Sequence, residues 1–368
     1  MVGRRLGVEE EMLLIDAATG DLRPVAAEVL AACQSDVEDG AALQHEFFLA
    51  QLEVASRPHT DIASIRGELA VARARIAEVG APLGVTPLVV PGPVLAPESG
   101  GRTISPQDRY LAVEQHYGEI AHQSLMCALH VHVEVTDPDE GVAVIDRVRP
   151  WIPVLVALSS NSPFWHGDDT GYASWRSRVW NLWPTSGPAE LLGTADAYAA
   201  MVQRMVARGA ALDAALVNLD VRLSHRYPTV EFRVADVCTD LDDAMMIAAL
   251  ARALVTHYAA RARAGDPPDE WRVDELRGAA WRAARFGLAD RLVSPVSGDL
   301  LTAADVLQQL VALVAGPLES AGDTALVERA LAAVTTRGTG AARQREALAA
   351  GGTMAAVVAD IRERTLRA

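Results

Sequence analysis

Gly7-Val8-Glu9-Glu10-Glu11-Met12-Leu13-Leu14-Ile15 begins the chain with carboxylates in an otherwise apolar run. Side chains alternate across a β-strand, so Glu9 and Glu11 share one face while Val8, Met12 and Leu14 share the other. Two further stretches repeat the pattern. Leu129-His130-Val131-His132-Val133-Glu134-Val135 sets His130, His132 and Glu134 opposite three valines. Thr229-Val230-Glu231-Phe232-Arg233-Val234 sets Glu231 and Arg233 opposite Val230, Phe232 and Val234. Such half-polar alternation belongs to antiparallel sheets with one face on the core, because parallel sheets are covered on both faces and carry continuous apolar strands. The expected fold is α+β, and the polar sheet face is a candidate wall for metal ions and phosphate. Glu10 falls on the apolar side and is expected at the sheet edge, in a structural role.

The 368 residues could form one large domain or two. With no repeat, low-complexity tract or convincing linker, 1–368 reads as a single catalytic domain with a helical C-terminal third. A formal charge of −15 argues against nucleic acid or an anionic membrane as partner. Cys33, Cys127 and Cys238 are isolated and odd in number, which fits a reducing compartment and excludes a disulfide scaffold or Cys-based zinc site. The longest apolar runs, 151–159 and 244–255, are too short to span a bilayer. The first acidic strand leaves no room for a signal peptide, so the cytoplasm is the expected location. More telling, all 33 basic residues are arginines and none is lysine. That excludes the Walker A loop, the usual ATP-grasp nucleotide site, protein kinases and Schiff-base chemistry, which need an amine. Phosphate here must be met by arginine, backbone amides and metal.

Between the acidic strands the pattern turns helical. Asp61 is suited to cap a helix carrying Ile62, Ile65, Leu69, Ala72, Ile76 and Val79. Ser105-Pro106 predicts a helix start running towards Gln123. An apolar helix is expected to end over 151–158, and another to run from Thr239 or Asp240 to Ala262. Pro82 to Pro97 reads as a strand with turns at each end. After Asp266-Pro267-Pro268, helices are expected near 270–286, 303–314, 325–334 and 341–348. The segment 161–188 holds four of the seven tryptophans (Trp165, Trp175, Trp180, Trp183) and reads as a structureless but functional loop.

Each polar group admits a plain reading beside a chemical one. Glu9 and Glu11, about 7 Å apart by strand rise, could line a solvated face or hold ions shared with neighbouring strands. Glu46 and Glu53 favour the second reading, because Gln51, Glu53 and Ala55 form another polar face opposite Leu52 and Val54. His130-x-His132 alone is a weak ligand pattern; oxygen-rich surroundings point to Mg²⁺ or Mn²⁺ rather than a transition metal. Glu231 and Arg233 could be a surface ion pair of little energetic value, or a ligand beside a charge partner for phosphoryl or carboxylate.

Taken in order, these stretches resemble the carboxylate–amine ligase family that includes type 2 glutamate–cysteine ligases. The resemblance rests on Gly7 to Glu11, Cys127 to Val133, Asn161-Ser162-Pro163-Phe164, Gly171 to Trp180, Thr229 to Cys238, Phe286-Gly287-Leu288 and Arg337 to Arg345. It implies a glutamine-synthetase-like catalytic domain: a curved antiparallel sheet forming a funnel, with helices on its outer face. It implies Mg²⁺ or Mn²⁺ held by Glu9, Glu11, Glu46, Glu53, His130 and Glu231, with ATP bound there. Arg233 would face the transferring phosphoryl and act with Glu231 in catalysis. Arg176, Arg178, Tyr172 and His132 would bind substrate.

The implied reaction phosphorylates a side-chain carboxylate, as in glutamate, and lets an amine such as that of cysteine displace phosphate. The Trp-rich loop would exclude water from the acyl phosphate. The implied partners are small molecules, and a homodimer is expected. Glu134, where the family pattern suggests glycine, and Leu182, where a polar residue is frequent, bear on which acid and amine are joined. Two other classes stand beside this one: a His-x-His metalloenzyme without ATP dependence, and a non-catalytic binder on a ligase scaffold.

Overall fold

The computed structural model describes residues 3–33, 40–96 and 103–367. Its main sheet has seven strands: β1 (Leu6–Asp16), β2 (Ala42–His45), β3 (Gln51–Ala55), β4 (Val85–Leu88), β5 (Ala128–Glu134) and, after a separate hairpin of β6 (Phe164–Trp165) and β7 (Asp168–Asp169), β8 (Val221–Leu223) and β9 (Thr229–Asp236). The order is β2-β3-β1-β5-β9-β8, with β4 joined to the far end of β1, and every ladder is antiparallel. This is the α+β arrangement expected from the alternation. β10 (Leu292–Val293) and β11 (Leu300–Leu301) form a small hairpin within the C-terminal helical region.

Helices cover the apolar side. α1 (Ala26–Cys33) and α2 (Ile62–Gly80) precede β4, and Asp61 caps α2 by accepting from the Ala63 and Ser64 amides. The expected helix from Ser105 to Gln123 starts later and breaks: α3 is Asp108–Tyr117 and α4 is Glu119–Gln123. Gly118, at φ +56°, turns the chain between them; Ser105 instead donates its hydroxyl to the Glu46 carbonyl. α5 (Pro138–Val148) and α6 (Ile152–Ser159) follow, then α7 (Arg176–Trp180) and α8 (Ala195–Ala207). α9 (Leu241–Arg263) is buried on nearly all sides over its first four turns, as an all-round apolar helix must be. The C-terminal region is helical as expected, but longer: α10 (Val273–Phe286), α11 (Ala303–Ala321), α12 (Thr324–Arg337), α13 (Gly340–Gly351) and the unanticipated α14 (Met354–Leu366). The strand expected over 82–97 shrinks to β4, and Pro97 lies outside the described residues.

Glu10 does not sit at an edge. β1 is flanked by β3 and β5, so Glu10 points into the core and is completely buried. Arg73 of α2 meets it with two hydrogen bonds, at 2.8 and 2.5 Å, and also donates to the Thr239 and Cys238 carbonyls at 2.6 and 3.0 Å. One guanidinium thus ties β1, α2 and the β9–α9 connection together. Removing one partner of a buried pair strands the other charge, which costs about 3–5 kcal/mol. Arg73→Met is expected to lose that much in urea denaturation, and Glu10→Leu added to it to recover part of the loss.

Candidate active site

The other face of β1 carries the chemistry. In register, Glu9 lies opposite His130 and Ala55, and Glu11 opposite Glu53. Across the next ladder His132 lies opposite Glu231, which in turn lies opposite Arg222 of β8. Five strands therefore deliver their polar residues to one wall. Three groups on it have ligand atoms all within 4.8 Å of one another: Glu9–His132–Glu231, Glu9–Glu53–His130 and Glu11–Glu46–Glu53. His130 and His132 fall in different groups, so they are not a pair on one ion.

A register shift between β5 and β9 shapes this wall. Leu129 pairs with Ala235 but Val131 with Phe232, so β9 has one residue more than β5 over that interval. Such a bulge bends the strand and shifts which residues share a face. It lets Glu231, opposite His132, and Asp236, opposite Ala128, both reach the polar face although they are five residues apart. Asp236 is fully buried and accepts from the Asn161 amide at 2.8 Å, the Ser162 hydroxyl at 2.7 Å and the Ser174 hydroxyl at 2.8 Å. It thereby pins the Trp-rich stretch on both sides of the β6–β7 hairpin, and the stretch is not structureless but holds β6, β7 and α7. Gln344 of α13 braces the same loop through the Asn161 carbonyl and side-chain oxygen, and a Cβ on Gly340 would collide with that side chain.

The charges are unevenly offset. Burial raises the Glu231 carboxyl, but Arg233 and Arg222 outweigh it and hold it well below the usual range. Arg222 bonds Glu231 at 2.7 and 3.2 Å, and Arg233 bonds it too. Burial also raises Glu9, yet its hydrogen bond with His130 and the closeness of His132 bring it below its ordinary value. Glu11, Glu46 and Glu53 go the other way. Burial and the Glu46 charge push Glu11 up to about 8; burial is likewise the leading cause for Glu46 and Glu53, which Glu9 raises further. Burial, with Arg233 next, lowers His130 to about 4. The Nε2 atoms of His130 and His132 are buried without a hydrogen bond; that of His132 lies 3.2 Å from Glu9 without bonding geometry.

The wall divides two spaces. On one side is a cleft of about 500 Å³ lined by Glu9, Glu53, His132 and Glu231, with the β8–β9 turn and Arg5 at its rim. On the other is a compartment of about 140 Å³ lined by Arg176, Trp180, Arg109 and Tyr110. Glu11, Glu46, His130 and Arg233 border both. Arg176 is fully buried, with its guanidinium on the carbonyls of Val234 and Arg233 at 3.2 Å.

Of the residues singled out from sequence, Glu9, Glu11, Glu46, Glu53, His130, His132, Glu231 and Arg233 are brought together, and Arg176 borders the inner compartment. His132, expected on substrate, stands among the candidate ligands. Arg178 faces a separate cavity, and Tyr172 lines none of these spaces, accepting instead from the Trp281 indole at 3.1 Å. Glu134 pairs with Arg5 at the cleft rim, and Leu182 is half exposed. Arg222, Asp236, Arg109 and Tyr110 went unanticipated. Only Arg222 had a local signal, the alternation of Asp220-Val221-Arg222-Leu223.

The fold neighbours are ligases. A Francisella tularensis glutamate–cysteine ligase in complex with AMP superposes with a TM-score of 0.68 at 13% identity, covering 100% of this chain and 89% of that one. A Pasteurella multocida bifunctional glutathione synthetase gives 0.67 at 15% identity, covering 99% of this chain and 52% of that one. The sequence itself is more specific. The profile of glutamate–cysteine ligase family 2 matches residues 5–360, and the chain belongs to that family. A Streptomyces coelicolor protein with the provisional name glutamate–cysteine ligase 2 is 44% identical over 362 residues, 98% of this chain and 99% of its own. A Streptomyces avermitilis relative, provisionally named glutamate–cysteine ligase 2-1, is 44% identical over 351 residues, 95% of this chain and 96% of its own. Among the described residues no helix is long and apolar enough to cross a membrane.

The raised carboxyls give the metal-free protein a defined pH response. Glu11 deprotonates near 4.3 when unfolded but near 8 when folded, so between those values the folded state binds more protons. Stability from this cluster therefore falls as pH rises from about 4.5 to 8. With chelator present, the melting temperature should drop between pH 5.5 and 8, and Glu53→Gln should make that drop shallower.

Proposed function

We propose that this chain is an ATP-dependent carboxylate–amine ligase of the glutamate–cysteine type, working through an acyl phosphate. The observation that carries the reading is the wall itself: three overlapping carboxylate-rich groups and Arg233, standing between a nucleotide-sized cleft and a small arginine-lined compartment. Carboxyls raised by burial and by one another, and imidazole nitrogens left without partners, fit divalent metal. The oxygen-rich donor set suits Mg²⁺ or Mn²⁺. Glu9, Glu11, Glu46, Glu53, His130 and Glu231 would hold such ions, with His132 beside them, and the ions would neutralise charge on the transferring phosphoryl.

The chain's own residues do the rest by position. ATP binds in the outer cleft with its γ-phosphate towards Arg233, and the acid substrate lies in the inner compartment against Arg176. A carboxylate oxygen takes the γ-phosphoryl and ADP leaves with the electrons of the broken P–O bond. The amine nitrogen then attacks the acyl carbon, the C–O bond to phosphate breaks, phosphate departs with that pair, and the nitrogen releases a proton to solvent. Arg222 and Arg233 keep Glu231 ionised and oriented throughout, while Asp236 holds Arg176's loop over the compartment and excludes water. The separation of His130 and His132 into different groups disfavours a His-x-His metalloenzyme. A cytoplasmic homodimer acting on small molecules belongs to the same proposal.

With Mg²⁺ and ATP, ADP release should require both glutamate and an amine such as cysteine. Glu11→Ala or Glu231→Ala should abolish it while circular dichroism stays native. Turnover without ATP would sink the ligase reading. Mg²⁺ or Mn²⁺ should raise the melting temperature more at pH 8 than at pH 5.5, because cations and protons compete for the same carboxylates.

A further inference from the structure

A third cavity, of about 560 Å³, lies behind the inner compartment. Arg176, Trp180 and Trp183 line both spaces, so the two meet at these side chains. The new cavity also takes in Arg178 of α7, Arg277 of α10 and Asp220 ahead of β8. Most arginines of this protein are paired with a carboxylate, but these groups are not. The Arg178 guanidinium makes one hydrogen bond among the described residues, from Nε to the Ser177 hydroxyl at 3.3 Å. The Arg277 guanidinium and the Asp220 carboxylate make none among the described residues. Burial pushes the Asp220 carboxyl up to about 6 against the pull of Arg178 and Arg176.

The shared lining residues have unmet donors. The indole N–H groups of Trp180 and Trp183 and the Nε of Arg176 are buried without a hydrogen-bond partner. Trp180 is flanked by the guanidinium groups of Arg176 and Arg233, each 5.5 Å from its ring centroid. Buried polar groups without partners are uncommon and call for a ligand or water. Arg178 and Arg277 without a paired carboxylate, the Asp220 carboxylate and a run of apolar surface from Ile152, Val156 and Trp281 complement a molecule that carries a carboxylate, an ammonium and an apolar body.

We propose that this cavity binds the amine acceptor, and that the acceptor is an α-amino acid with a large apolar side chain. The assignment rests on the ligase reading above and narrows it. Arg178 and Arg277 take the carboxylate, Asp220 the amine, and Trp281 with Ile152 and Val156 the side chain. Asp220 accepts through its backbone carbonyl from the Arg233 amide at 3.0 Å, so its end of the cavity is one backbone hydrogen bond away from the strand that carries Arg233. Cysteine would leave most of this volume empty.

Calorimetric titration of L-phenylalanine into the intact protein, with Mg²⁺ and a non-hydrolysable ATP analogue, tests the assignment. Wild type should bind, Asp220→Asn and Arg277→Ala should each weaken binding at least tenfold, and Arg277→Lys should recover part of it. In turnover, Arg277→Ala should raise the KM for phenylalanine at least tenfold while the KM values for glutamate and ATP change less than twofold. The KM for cysteine should exceed that for phenylalanine in wild type. Unchanged affinity in both variants, or turnover with cysteine but no binding of phenylalanine, would overturn the cavity assignment and leave the ligase reading standing. Phenylalanine binding that both variants weaken, with no ADP release for any acid–amine pair, would overturn the acceptor role and the ligase reading together.

Discussion

Five glutamates on one sheet face repel one another, and how that repulsion is met organises the molecule. The protein supplies enough positive charge for only part of the cluster. Glu231 receives two arginines, Glu9 a hydrogen bond with His130 and the close approach of His132, and both carboxyls lie below their ordinary range. Glu11, Glu46 and Glu53 receive only distant help from Arg176 and Arg233, and their carboxyls rise. A site left short of positive charge by its own scaffold is one that a cation completes. The apolar side shows the contrast: Glu10, one residue away, is fully satisfied by Arg73 and carries no chemistry. Adjacent residues on one strand thus serve opposite ends because alternation sends them to opposite faces.

The bulge in β9 is the second organising feature. A regular ladder would put residues five apart on opposite faces. The extra residue lets Glu231 join the acid wall and Asp236 reach back for the Trp-rich loop. One strand therefore both builds the wall and fixes the element opposite it. Asp236 holds Ser162 and Ser174, twelve residues apart in sequence, so the β6–β7 hairpin becomes a closed excursion and Arg176 follows directly from its end. α13 reinforces the closure from outside through Gln344 and Gly340. This accounts for family-like motifs widely separated along the chain: they meet around Asn161 and Asp236.

Tryptophans line the site more than they cover it. Trp180 stands where the inner compartment meets the cavity that holds Arg178, between the guanidinium groups of Arg176 and Arg233. Such cation–π packing keeps an aromatic wall rigid while leaving its N–H free. The three spaces border one another in sequence, cleft to compartment to rear cavity, with Arg233 and Arg176 as the hinges of adjacency. A reaction that joins three molecules needs such a row.

Alternation by itself determined the antiparallel α+β fold and the membership of Glu9, Glu11, Glu53, His130, His132 and Glu231 in one polar face, because the period of two is a local property of extended backbone. Lysine's absence likewise decided that phosphate must be handled by arginine and metal. Tertiary structure decided what local pattern cannot carry. Glu10 moved from edge to centre because strand order depends on long-range pairing. Ser105 lost its helix to a hydrogen bond with a carbonyl 59 residues away. Arg178 and Tyr172 share a short motif with Arg176 yet face elsewhere, since a turn and a single helical turn fan their side chains in different directions. Asp236 became a tether only through a bulge that no spacing announces. Which charges end up offset, and which remain short of a partner, is set by neighbours far away in sequence, and only the folded chain brings those neighbours within reach.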